Sequence, residues 1–138
     1  MYIAIDFDGT VVSSAFPSVG SELPHAVDVM KRLLKYGNEL ILLTNRENVI
    51  YEDENGSHDI LAEAVNWFKE RGIDLYAVND NPKSKLNYHI GRKVFADVYI
   101  DDHGLGIPKY YDGTLNWYGI EKLLENEGCF TRQLILGI

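Results

Sequence analysis

The chain has a single cysteine, Cys129, which rules out an internal disulfide, and no thiol-activating neighbour accompanies it. Long apolar runs are missing too: none approaches the roughly 20 residues that a membrane-spanning helix requires. The amino terminus lacks the charged segment followed by an apolar one that marks an export signal, so the expected location is cytoplasmic. Positive charge is scarce. With 13 Lys and Arg against 21 Asp and Glu, the formal charge of −8 disfavours non-specific binding to nucleic acid or to an acidic membrane. Small anionic substrates stay open, because a bound cation can reverse the local field. The sequence shows no repeat or low-complexity tract, and its 138 residues suit one domain, 1–138.

What the chain does have is an alternation of strand and helix patterns. Apolar strands are expected at about 2–6, 39–44, 74–79 and 96–101, the second apolar on both faces as a central parallel strand should be. A first helix is expected at about 24–36, with Pro24 in its first turn, Val27, Met30 and Leu34 on one stripe, and Gly37 as its stop. A second at about 58–71 turns Ile60, Leu61, Ala64, Val65 and Phe68 inward and ends at Gly72. Shorter patterns at about 83–90 and 116–127 complete the series, the last closed by Gly128. This rhythm predicts a doubly wound α/β fold, a Rossmann-like three-layer sandwich on a parallel sheet. Such sheets bind ligands outside the carboxyl ends of their strands.

The first strand empties into Asp6-Phe7-Asp8-Gly9-Thr10. Alternate side chains of a strand share a face, so Asp6 and Asp8 point together while Phe7 turns into the core. Gly9 lets the backbone swing away and leaves both carboxylates at an exposed lip. Two carboxylates side by side invite a divalent cation.

Asp6-Phe7-Asp8-Gly9-Thr10 resembles the opening signature of the haloacid dehalogenase superfamily, most of whose members are Mg-dependent phosphatases. Leu40-Ile41-Leu42-Leu43-Thr44-Asn45-Arg46 resembles that family's second motif, and Val98-Tyr99-Ile100-Asp101-Asp102 its fourth. All three lie at strand carboxyl ends and should converge on one crevice. The resemblance implies Asp6 as nucleophile, forming an aspartyl-phosphate, and Asp8 as the acid and then base that serves the leaving oxygen and the attacking water. It implies Mg²⁺ held by Asp6, the Asp8 carbonyl and Asp101, with Asp102 ligating through water or orienting its neighbour. Thr44 would offer its hydroxyl to the phosphate, Asn45 would continue the lip, and Arg46 would make a bidentate phosphate contact or pair with an acidic neighbour. An acid at position 8 favours phosphate esters over carbon–halogen bonds.

The family's lysine has three candidates. Lys93 precedes strand 96–101 and falls at the far edge of the sheet, whereas Lys83 and Lys85 follow the carboxyl end of strand 74–79; Lys85 is preferred. Asp112-Gly113-Thr114 repeats the opening tripeptide without a strand before it and reads as a turn capping the last helix. His103 follows the acidic pair and either touches substrate or sits in a surface loop. His25, His58 and His89 show no metal-ligand spacing.

Residues 11–43 leave no room for a globular cap domain, so the loops at about 13–22 and 47–57 are the available lids. An open site suits a phosphorylated metabolite, a nucleotide or a phosphoprotein, or a small substrate enclosed by a neighbouring copy in a homo-oligomer. Two other readings stand beside the phosphatase. One is a non-catalytic relative that binds a ligand or partner in the same crevice. The other is a receiver-type phospho-acceptor domain, whose order of Asp, Thr and Lys along the strands this chain does not follow. The role of the tail, 128–138, is not legible from its residues.

Overall fold

A computed structural model describes residues 1–85 and 91–131, with the Lys85 side chain outside the described part. His89, most of the expected helix 83–90, and residues 132–138 lie outside the described residues. Strand β1 (Tyr2–Ile5) leads to helix α1 (Ala26–Lys35) and strand β2 (Glu39–Leu42). A hairpin of β3 (Ile50–Asp53) and β4 (Gly56–Asp59) follows, then α2 (Ile60–Glu70), β5 (Ala77–Val78), α3 (Pro82–Lys85), β6 (Val98–Ile100) and α4 (Trp117–Asn126).

Four strands form one parallel sheet in the order β5-β2-β1-β6, the α/β architecture that the alternation predicts. After β1 the chain winds outward through β2 and β5, then returns to place β6 on the other side of β1, making the β1–β6 boundary a topological switch point. Register aligns the strand ends there: Ile5 pairs with Leu42 on one side and Ile100 on the other. The Asp6 N–H donates to the Ile100 carbonyl at 3.0 Å and the Leu43 N–H to the Ile5 carbonyl at 2.9 Å. Asp6, Leu43 and Asp101 therefore emerge side by side.

Helices α1, α2 and α4 bury apolar side chains against one sheet face, where Ile3, Ile5, Leu40, Leu42 and Ile100 meet Met30, Leu33, Phe68 and Leu124. The opposite face is covered by a smaller cluster of Ala4, Ile41 and Ala96 with Tyr2, Tyr76 and Val94. Phe7 is fully buried, 5.7 Å from both Trp67 and Phe68, and anchors the turn that follows β1. Burying a ring of this size stabilises by roughly 1.5–3 kcal/mol. Among the described residues no helix is long and apolar enough to cross a membrane.

Several sequence expectations shift. Helix α1 buries Ala26, Val29, Met30 and Leu33, so Val27 and Leu34 flank the stripe rather than form it, and Pro24 stays outside the helix. In α2 the inward face takes Trp67 where Leu61 and Val65 are only partly buried. Segment 47–57 is no simple loop: β3 and β4 pair antiparallel, with Asp53 opposite Gly56 and the Asn55 N–H donating to the Asp53 carboxylate at 2.8 Å. Asn-Gly is a hairpin signal, obscured here by the acidic residues around it. The cap of α4 is Asn116, which accepts from the N–H groups of Tyr118 and Gly119, while Asp112 closes its own turn onto Thr114.

Candidate active site

The carboxyl ends of β1, β2 and β6 border a cavity of about 350 Å³ lined by Asp6, Asp8, Leu43, Thr44, Asn45, Asp101, Asp102 and His103. Carboxylate oxygens of Asp6, Asp101 and Asp102 lie within 4.8 Å of one another. Thr10 locks this arrangement. Its buried hydroxyl donates to Asp6 Oδ2 at 3.0 Å and accepts the Asp102 N–H at 3.0 Å, tying the turn after β1 to the loop after β6. The Trp117 indole N–H holds the Thr10 carbonyl at 2.8 Å from the far side. Gly9 completes the turn at φ 79°, a conformation costly for other residues. A Cβ there would stand 2.6 Å from Asp102 Oδ2, so both backbone and space demand glycine.

Burial pushes the Asp6 carboxyl up from its ordinary 3.8 to about 7. Hydrogen bonds from the Phe7 backbone and Thr10 oppose the shift, whereas the Asp101 charge and the Asp102 carboxyl reinforce it. A site built this way is short of positive charge. Three oxygen donors with mutual repulsion and no soft ligand fit a hard divalent cation, which would relieve both the burial and the repulsion. Asp6, Asp101 and Asp102 would hold it.

Thr44 stands at the end of β2 with its N–H donated to Asn79 Oδ1 at 2.8 Å. That amide is therefore committed within the protein. The Thr44 hydroxyl accepts the Arg46 N–H at 3.1 Å and keeps its own hydrogen for a ligand. Asn79, just past the end of β5 with φ 50°, is a site residue that no sequence motif marks. Its signal is the tolerance of Asn for the left-handed region at a strand-to-turn junction.

Of the two contacts left open for Arg46, the structure shows the pairing with an acidic neighbour. Arg46 is 1% exposed, and its Nε and Nη2 donate to Asp8 Oδ2 and Oδ1, each at 2.8 Å. Nη1 donates to the Ile60 carbonyl at 2.8 Å and Nη2 also to the Ser18 carbonyl at 3.0 Å. The acidic neighbour left open by the sequence is Asp8, and the pair is buried on the arginine side instead of exposed. Burial wins because the fork matches one carboxylate while two main-chain carbonyls take two of the three remaining N–H donors.

Neither described lysine candidate lines the cavity. The Lys83 N–H donates to the Tyr76 hydroxyl at 3.2 Å while its side chain is exposed. The Lys93 ammonium rests 5.1 Å from the Tyr99 ring centre and borders a separate 120 Å³ cavity with Asn79, Asn81 and Ser84. Lys85 closes α3, and its side chain is outside the described part. His103 stands at the cavity rim, its side chain 92% exposed, with Nε2 3.8 Å from Asp102 Oδ2.

No protein-family model matches the chain. No curated protein matches it either. Among solved structures, a conserved protein encoded by a locus of Bacteroides thetaiotaomicron is 35% identical over 92% of this chain and 91% of that one, with a TM-score of 0.71.

Proposed function

We propose that this chain, which belongs to the same family as the conserved Bacteroides thetaiotaomicron protein, is a Mg²⁺-dependent phosphatase of the haloacid dehalogenase type. The observation that carries the reading is the meeting of Asp6, Asp101 and Asp102 within 4.8 Å at the switch point of a parallel sheet, in one cavity with Asp8 and Thr44.

The roles are those that the resemblance implies for these positions. Asp6 attacks phosphorus through a carboxylate oxygen as the ester P–O bond breaks, and the leaving oxygen takes a proton from Asp8. Asp8 then accepts a proton from the water that cleaves the aspartyl-phosphate, which returns both carboxyls to their starting state. The Thr44 hydroxyl donates to a phosphate oxygen, and Asn45 borders the same side. Asp6, Asp101 and Asp102 would hold a Mg²⁺, which would supply positive charge to offset that of the carboxylates and the phosphate. Among the described residues no globular cap covers the cavity, which suits a phosphorylated metabolite, a nucleotide or the surface of a phosphoprotein.

Turnover of p-nitrophenyl phosphate should appear with Mg²⁺ and vanish with chelator, and Asp6→Asn should abolish it. Activity undiminished by chelator excludes this mechanism. One observation favours a binding role instead: among the described residues, no lysine or free arginine faces the cavity. That second reading predicts Mg²⁺ binding without turnover of any phosphate ester.

A further inference from the structure

The geometry points to Arg46 as a positioning residue that aims the Asp8 carboxylate at the leaving-group oxygen, an inference that rests on the phosphatase reading above. Asp8 sits three residues beyond the end of β1 and is partly exposed, so nothing in the strand itself fixes its rotation. The fork does. Two parallel N–H bonds of 2.8 Å, one to each oxygen, set both the position and the plane of the carboxylate.

The fork is in turn anchored outside the sheet. Its other donors reach the carbonyls of Ser18, in loop 13–22, and Ile60, the first residue of α2. Its central carbon lies 5.2 Å from the centres of both the Phe7 and the Phe16 rings. Phe16 also packs edge-on against Tyr51 of the hairpin, with centroids 5.5 Å apart. Asp8 is thereby tied to loop 13–22 and to the start of α2. Four of the five guanidinium N–H groups are engaged within the protein, whereas each Asp8 oxygen keeps a second lone pair for the proton in transit. Proton transfer contributes roughly 10²–10⁴-fold and depends on placement, so an unfixed Asp8 would forfeit part of that gain.

The test compares p-nitrophenyl phosphate with phenyl phosphate, two esters of similar shape whose leaving groups differ in their need for a proton. Arg46→Lys should lower kcat/KM, which reports the leaving-group step and not the later hydrolysis common to both esters, by about tenfold or more on phenyl phosphate and by less on p-nitrophenyl phosphate. Phe16→Leu removes only the outer ring and should shift the same ratio in the same direction by a smaller factor, which keeps the proposal testable if Arg46→Lys does not fold. Equal losses of kcat/KM on the two esters, whether through a shared loss of binding that identifies Arg46 as a phosphate ligand or through general distortion, overturn the positioning role. If the native protein with Mg²⁺ turns over neither ester, the phosphatase reading itself fails and the role falls with it.

Discussion

Asp6 is a carboxylate held where its charge is disfavoured, and its removal should stabilise the metal-free protein while ending its chemistry. The folded carboxyl titrates at about 7 against an ordinary 3.8. At about 1.4 kcal/mol per unit the difference corresponds to about 4 kcal/mol, and water entering the half-open cavity trims this to the order of 2–4 kcal/mol. Because the folded state holds this proton more tightly than the unfolded chain, the contribution is complete below pH 3.8. It is lost as pH rises through about 7. Urea denaturation of native protein and Asp6→Asn in chelator, at steps from pH 4 to 8, reads this directly. The two should be close in stability at pH 4, with Asp6→Asn the more stable at pH 8 by the stated amount. Saturating Mg²⁺ at pH 8 should raise the native protein and barely change the variant. A difference between them that stays constant across the range, or that favours the native protein at pH 8 without metal, refutes the argument.

Gly9→Ala places a Cβ against Asp102 at a positive φ, and should cost roughly 1–3 kcal/mol and weaken Mg²⁺ binding, measured by denaturation and calorimetric titration. Thr10→Val keeps the shape but leaves Asp6 and the Asp102 N–H without their shared partner; stability should fall by about 1–3 kcal/mol and Mg²⁺ affinity should fall with it. Lys93→Ala should leave turnover unchanged, since its ammonium lies on Tyr99, and a crippled variant would relocate the motif lysine.

The strand ends that build the site are legible in the sequence because each is a short apolar run terminating in acids or Thr44, and parallel pairing then forces them together. Arg46 was legible only as a residue near the lip. Its partner could not be chosen from sequence because the selecting contacts, the Ser18 and Ile60 carbonyls, come from segments whose fold the local pattern leaves open. The hairpin was hidden for a related reason: β3 is exposed along its whole length, so no buried face imposes an alternating pattern. Thr10 and Asn79 act through hydrogen bonds across the sheet edge, which periodicity does not encode.

The central claim is that Asp6 carries the phosphoryl group. Acid quenching of native protein during turnover with Mg²⁺, followed by borohydride reduction and peptide mass spectrometry, converts a phosphorylated aspartate to homoserine and names the residue. The expected result is homoserine at position 6 only, lost when Mg²⁺ is withheld. Turnover with homoserine at another aspartate, or with position 6 unmodified under conditions that trap an acyl phosphate, would contradict the account.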